Sequence, residues 1–233
     1  MEQYANPYSV AGAVPEERAG FIRRTYAHLA LAILAFVGIE FLLFQIPAAV
    51  NLGMAMATSG KGWLIVLGAF MVVSWIANHW AMSDTSKGLQ YAGLGLFIVA
   101  EAIIFLPLLL VAQQMTPGGE LIGQAGVATL FVFAGLTATV FITKKDFSFL
   151  RGFLVIGGFV AIGVIVVGLI FGFELGTWFS AAMVLFASVA ILYKTSNIMH
   201  HYRTEQHVAA ALALFASVAL LFWYILRIFM SRR

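Results

Sequence analysis

Long apolar stretches separated by short polar breaks run through the chain, and their length matches the thickness of a lipid bilayer. Seven stand out, at about 26–45, 63–82, 89–112, 121–142, 153–171, 178–193 and 208–229. A helix of roughly 20 apolar residues crosses a hydrocarbon core of about 30 Å, so each stretch predicts a transmembrane helix. The first closes at Pro47. The third contains Pro107, which predicts a kink whose freed carbonyl a neighbouring helix or side chain must satisfy. The pattern predicts an all-α integral membrane protein, a seven-transmembrane-helix bundle with one membrane domain over residues 25–233 and an N-terminal tail over residues 1–24. The first twenty residues, MEQYANPYSVAGAVPEERAG, are polar, carry two prolines and lack the basic start and apolar middle of a secretory signal.

Composition agrees with that pattern. Hydrophobic residues make up 62% of the 233 positions and charged ones 10%, and the mean hydropathy is +0.98, which the surface of a soluble domain would not tolerate. The absence of cysteine removes disulfides, thiolate metal sites and cysteine nucleophiles. A net charge of +3 could suggest nucleic acid, but the basic residues lie at span ends, where they set topology. With a cytoplasmic N-terminus, the inner segments hold Arg18, Arg23, Arg24, Lys87, Lys144, Lys145, Arg151, Lys194 and Arg203, and the other side holds Lys61, Arg227, Arg232 and Arg233. Three of the four contrary charges lie at the C-terminus. Either the early loops fix the topology, or a late re-entrant segment returns the tail to the cytoplasm.

Polar residues inside the spans carry the candidate chemistry. An ionisable group at the centre of a membrane helix costs about 2.5–3.5 kcal/mol on insertion scales, so it calls for a partner or a water-filled cavity. Glu101, near the middle of the third span, is the strongest anomaly. Glu40 lies late in the first span, where a solvated carboxylate and a functional one are equally open. Asn78 and His79 close the second span beside Trp80, an interfacial setting. Ser217 lies midway along the seventh, where a hydroxyl ordinarily bonds its own backbone. Lys194 ends the sixth span in ILYKTSNIMHHYR; it either snorkels to the cytoplasmic face or pairs with Glu101 or Glu40. The histidines that follow, His200, His201 and His207, read as a solvated loop with Arg203 and Glu205 rather than a metal site. Gly168 and Gly172 have the small-xxx-small spacing of helix packing, which predicts a central fifth helix. No G-x-S-x-G, H-E-x-x-H or phosphate-cradling glycine motif appears in helical context, so no enzyme, cofactor or resident metal is expected.

Several stretches together resemble one family. FIRRTYAHLALAILAFVG, the Leu106–Leu109 step, TKKDFSFLRGFLVIG and ILYKTSNIMHH are similar to the Bax inhibitor-1, or transmembrane Bax inhibitor motif, family, and to its bacterial YccA-like branch. The resemblance implies a seven-helix bundle with a central seventh helix and a cytoplasmic N-terminus, in a bacterial inner membrane. It also implies a pH-sensitive leak of Ca²⁺, with protons and Ca²⁺ as candidate partners. For the bacterial branch it implies binding to the membrane protease FtsH in membrane-protein quality control.

The family's acidic latch does not carry over intact. Its two acids fall on Lys194 and Ser217, and a further acid of some members falls on Ala213; none of these is acidic here. Glu101 stands six residues before Pro107, where family members commonly have threonine. Replacing two carboxylates by an ammonium and a hydroxyl removes the oxygen-rich anionic site Ca²⁺ prefers. Two functions remain: a cation leak using Glu101 as its intramembrane acid, and non-enzymatic modulation of FtsH.

Overall fold

The computed structural model describes residues 10–60, 62–84, 86–116 and 118–232. These form eight helices and no strands: α1 (Pro15–Leu43), α2 (Pro47–Thr58), α3 (Gly62–Ala81), α4 (Lys87–Met115), α5 (Glu120–Thr143), α6 (Leu150–Phe171), α7 (Gly176–His200) and α8 (His207–Ser231). Seven of them, all but α2, are long and apolar enough to cross a membrane. Each coincides with a span expected from the hydrophobic pattern.

Two boundaries differ. Pro15 opens α1 at a position where proline's missing N–H costs nothing, so the helix starts in the polar segment assigned to the tail and carries Glu16 and Glu17 in its first turn. Val10 is already packed: it is fully buried, and its N–H donates to the Tyr202 carbonyl at 2.8 Å. Residues 1–9 of the expected tail lie outside the described residues. The second difference is α2, a twelve-residue helix begun by Pro47. Its buried Gly53 lies against Leu106 and Leu110, flanking the Pro107 step inside α4.

The seventh span is the axis of the bundle. Of the most apolar window of α8, 78% is buried, against 11% in α6. α1, α4, α5 and α7 pack around α8, α3 and α2 lie against α4, and α6 leans on α7. Aromatic pairs fix the register. Phe97 meets Phe215 and Phe105 meets Trp223, with ring centroids 6.1 and 4.9 Å apart, so α4 and α8 run parallel. Phe179 on α7 meets Tyr224 at 5.9 Å in the antiparallel sense. Large apolar side chains such as Leu34, Ile65, Phe131 and Phe159 point outward, the inversion expected where hydrocarbon is the solvent.

The fifth span is therefore not central, and its glycine pair serves another purpose. Gly172 caps α6 with φ +73°, a left-handed turn that suits glycine, and its N–H returns to the Gly168 carbonyl at 2.8 Å. Gly168 faces Phe173 and Leu175 of the turn that follows. The close helix approach lies elsewhere, at Gly93 on α4. A Cβ there would stand 2.6 Å from the Ala77 carbonyl oxygen and 2.7 Å from the Ala81 nitrogen, so α3 crosses α4 backbone to backbone.

The two ends of the bundle are distinct. Val10, the α5–α6 loop and the α7–α8 loop share one end. Thr177 at the start of α7 donates its hydroxyl to Ser231, which places the last turn of α8 at the other. α7 and α8 are both of full length, and among the described residues no re-entrant return follows Val208.

Candidate functional site

The ring around α8 is incomplete between α3 and α6, which meet at few points. The gap is a cavity of about 1140 Å³ walled by α3, α4, α6, α7 and α8. It spans from Gly172, Gly176 and Ser231 at the end remote from Val10 down to Ser74, Phe97 and Glu101. No lining residue comes from α7 after Phe186 or from α8 before Ala216. Beyond that level Ile191, Ile198, Val208, Leu212 and Phe21 are fully packed. The cavity thus enters from one face and stops inside the bundle.

Glu101 is at its deep end. Fourteen residues of α4 lie on either side of it, and the residue is 7% exposed. The pairing of Phe97 with Phe215 and Phe105 with Trp223 sets Glu101 level with the middle of α8. Among the described residues, Glu174, Tyr224 and Arg227 are the other titratable groups in the wall, toward the mouth.

The remaining candidates do not join it. Lys194 is fifteen residues along α7 from Phe179, which is level with Tyr224. At 1.5 Å per residue that puts it about 14 Å beyond Glu101 along the bundle axis. Neither Glu101 nor Glu40 pairs with it: the two ion pairs among the described residues are His201 with Asp146 and Arg203 with Asp84. Lys194 instead has its ammonium 5.6 Å from the Tyr193 ring centroid, less than two turns from the end of α7. Ser217 is buried but donates its hydroxyl to the Ala213 carbonyl of its own helix at 3.1 Å, and it does not line the cavity. Glu40 is buried on α1, four residues beyond Phe36, and neither carboxylate oxygen has a hydrogen-bond partner. Asn78 and His79 lie on the exposed side of α3; the Asn78 amide donates to the Ser74 carbonyl and His79 stacks on Trp75.

The loop histidines have structural partners that the sequence did not reveal. Asp146, in the α5–α6 loop, faces His201 at 3.2 Å, and Ser196 donates to it at 3.3 Å. Ser196, fully buried, also accepts the Phe147 N–H at 2.8 Å. Partial burial raises the Asp146 pKa, but the Ser148 amide and the neighbouring His201 and His200 outweigh it and hold the carboxyl below its ordinary value. The TKKDF segment is thereby tied to the TSNIMHH segment. His207 opens α8 edge-on to His28, their ring centroids 5.0 Å apart. His28 in turn reaches the Tyr91 hydroxyl at 3.1 Å.

Comparison with known proteins agrees with this architecture. A Pseudomonas aeruginosa protein, "Uncharacterized protein PA2604", is 34% identical over 198 residues, covering 83% of this chain and 82% of that one. "Bax inhibitor 1" of Schizosaccharomyces pombe is 29% identical over 98% of this chain and 82% of its own. "Modulator of FtsH protease YccA" of Escherichia coli is 38% identical over 87 residues, 35% of this chain and 38% of that protein. Another Escherichia coli relative with the same extent of match bears the name "Inner membrane protein YccA". The family model described as "Inhibitor of apoptosis-promoting Bax1" matches residues 18–233. A multi-pass helical membrane protein built around its last span, the chain belongs to the Bax inhibitor-1 family.

Proposed function

We propose that the protein is a pH-sensitive cation leak whose intramembrane acid is Glu101, with the N-terminus cytoplasmic and the cavity opening on the opposite face. The observation that carries this reading is the half-channel itself: a cavity that enters from one end and stops at a buried carboxyl halfway through the bundle. A carboxylate is costly at that depth unless water or a cation reaches it, and the cavity supplies the route. The packed layer from Ile191 to Leu212 is then the closed gate. Because a proton and a metal cation compete for one carboxylate, flux falls as Glu101 is protonated. With Lys194 and Ser217 in the places of the family's two acids, Ca²⁺ passes without a di-acid sensor. Purified protein in liposomes is expected to pass Ca²⁺ or K⁺ above empty vesicles, with Glu101→Gln abolishing the pH dependence. Flux no higher than in empty vesicles at any pH overturns the reading.

One observation favours a second reading, modulation of FtsH: the match to an Escherichia coli protein named for that activity. Copurification with FtsH is its test. Since Val10 is part of the packed fold, a deletion that probes the tail alone must end before it.

A further inference from the structure

Aromatic rings make up much of the cavity wall. Trp63 stacks on Trp223 with centroids 6.4 Å apart, Phe105 meets Trp223 edge-on at 4.9 Å, and Phe97 lies beside Glu101. One glutamate, Glu101, more than nine-tenths buried as a residue, stands at the deep end of this aromatic chamber. The chamber also opens sideways. Met71 on α3 and Ile162 on α6 both line it and are 53% and 42% exposed, and the two helices meet at few points. That gap in the ring is the route by which a ligand dissolved in hydrocarbon would reach the chamber. At about 1140 Å³ the space slightly exceeds the common range of small-molecule pockets, about 300–1,000 Å³.

Charge and shape narrow the occupant. A carboxylate at the deep end repels an anion, and a neutral acyl chain would leave it unpaired. A divalent metal ion wants six to eight oxygens, and the deep wall offers it Glu101 and Ser74 among aromatic carbons. A cation with dispersed charge and an apolar body satisfies both features, pairing with Glu101 while aromatic faces attract its charge. Arg227 does not spoil this. It follows the level of Glu101 by about eight residues of α8, some 12 Å toward the mouth at the rise of a helix, where Glu174 also lines the wall.

The geometry points to this cavity as a binding site for a lipophilic organic cation, aromatic or quaternary, that enters from the bilayer between α3 and α6 and sets its charged centre against Glu101. The inference uses the site on which the leak reading rests, but occupancy requires no ion to cross. It is measured as equilibrium binding, so either reading can fail alone.

Full-length protein in nanodiscs, dialysed against labelled tetraphenylphosphonium with empty nanodiscs subtracted, is expected to bind it saturably. Tetraphenylborate, of the same shape and opposite charge, is expected not to. Glu101→Gln is expected to weaken phosphonium binding by about tenfold or more, as loss of one partner of a buried charge pair does. Should that variant fail to fold, the wild-type protein supplies the same answer. Dicyclohexylcarbodiimide labels carboxyls in apolar surroundings, and phosphonium is expected to slow labelling of the Glu101 peptide located by mass spectrometry. The proposal is overturned by phosphonium binding no greater than to empty nanodiscs, by equal binding of the borate, by unchanged binding in Glu101→Gln, or by unprotected labelling of Glu101. Those are the results that a lipid chain as sole occupant would give.

Discussion

At the scale of single residues, the sequence exposes which charges are out of place but not whom they meet. Glu101 and Glu40 were legible because a carboxylate inside an apolar run is anomalous wherever the run packs. Their surroundings were not, because a helix carries no local mark of which side faces a gap. The pairing of Lys194 with either acid was chemically sensible and fails on register. Phe179 with Tyr224 and Phe105 with Trp223 place the ammonium and the Glu101 carboxyl at different depths. The stability costs of Lys194→Glu and Glu101→Lys are accordingly expected to add, within about 0.3–0.5 kcal/mol, in thermal unfolding of the single and double variants. Recovery of stability in the double variant would refute the assigned depths.

Among elements, span positions were readable because about 20 apolar residues leave few alternatives in a membrane. The helix α2 escaped notice since its twelve residues are too few to span and follow a proline that reads as a stop. Glycine spacing misled for a related reason: Gly168 and Gly172 match a packing motif, yet a helix end uses glycine as readily as a helix contact does. Gly93 has no such spacing to announce it, and only the structure sets Ala77 and Ala81 against it. Gly93→Ala is expected to cost about 1–3 kcal/mol, because the new methyl meets backbone rather than a movable side chain. Thermal unfolding in detergent measures this, and an unchanged midpoint would disprove the close α3–α4 approach.

The tie between the α5–α6 loop and the end of α7 has a pH signature with a definite sign. The folded Asp146 pKa is depressed, so the stabilisation is present above the ordinary aspartate value of about 3.9 and is lost as pH falls through the lowered folded value. Amide exchange at residues 145–149, corrected for its intrinsic pH dependence, is expected to stay slow from neutral pH down to that range and to quicken below it. Asp146→Asn should give quick exchange at every pH, and protection unaffected by that substitution would show that Ser196 alone holds the loop.

For the whole molecule, an odd number of full-length spans puts the packed start of α1 and the end of α8 on opposite faces. With the cytoplasmic N-terminus proposed above, the basic residues of the earlier loops would outweigh the three C-terminal arginines, which favour a cytoplasmic tail. A periplasmic reporter such as alkaline phosphatase fused after Arg233 is expected to be active, and a green fluorescent protein fused there to stay dark under Sec export. The reverse result would place the C-terminus inside. The central position of the seventh span came from family resemblance and not from the hydrophobic pattern, since the peripheral α6 is more apolar than α8 by composition.

That central position also orders events in time. α8 follows α1, α4, α5 and α7 out of the ribosome, so those helices are inserted before the surface they share exists. Until then, lipid must stand in for the faces that Leu212, Phe215, Leu221 and Leu226 will fill. The nascent bundle is a ring waiting for its hub, and a chain interrupted before His207 would hold six of the seven described spans without the helix on which most of them pack.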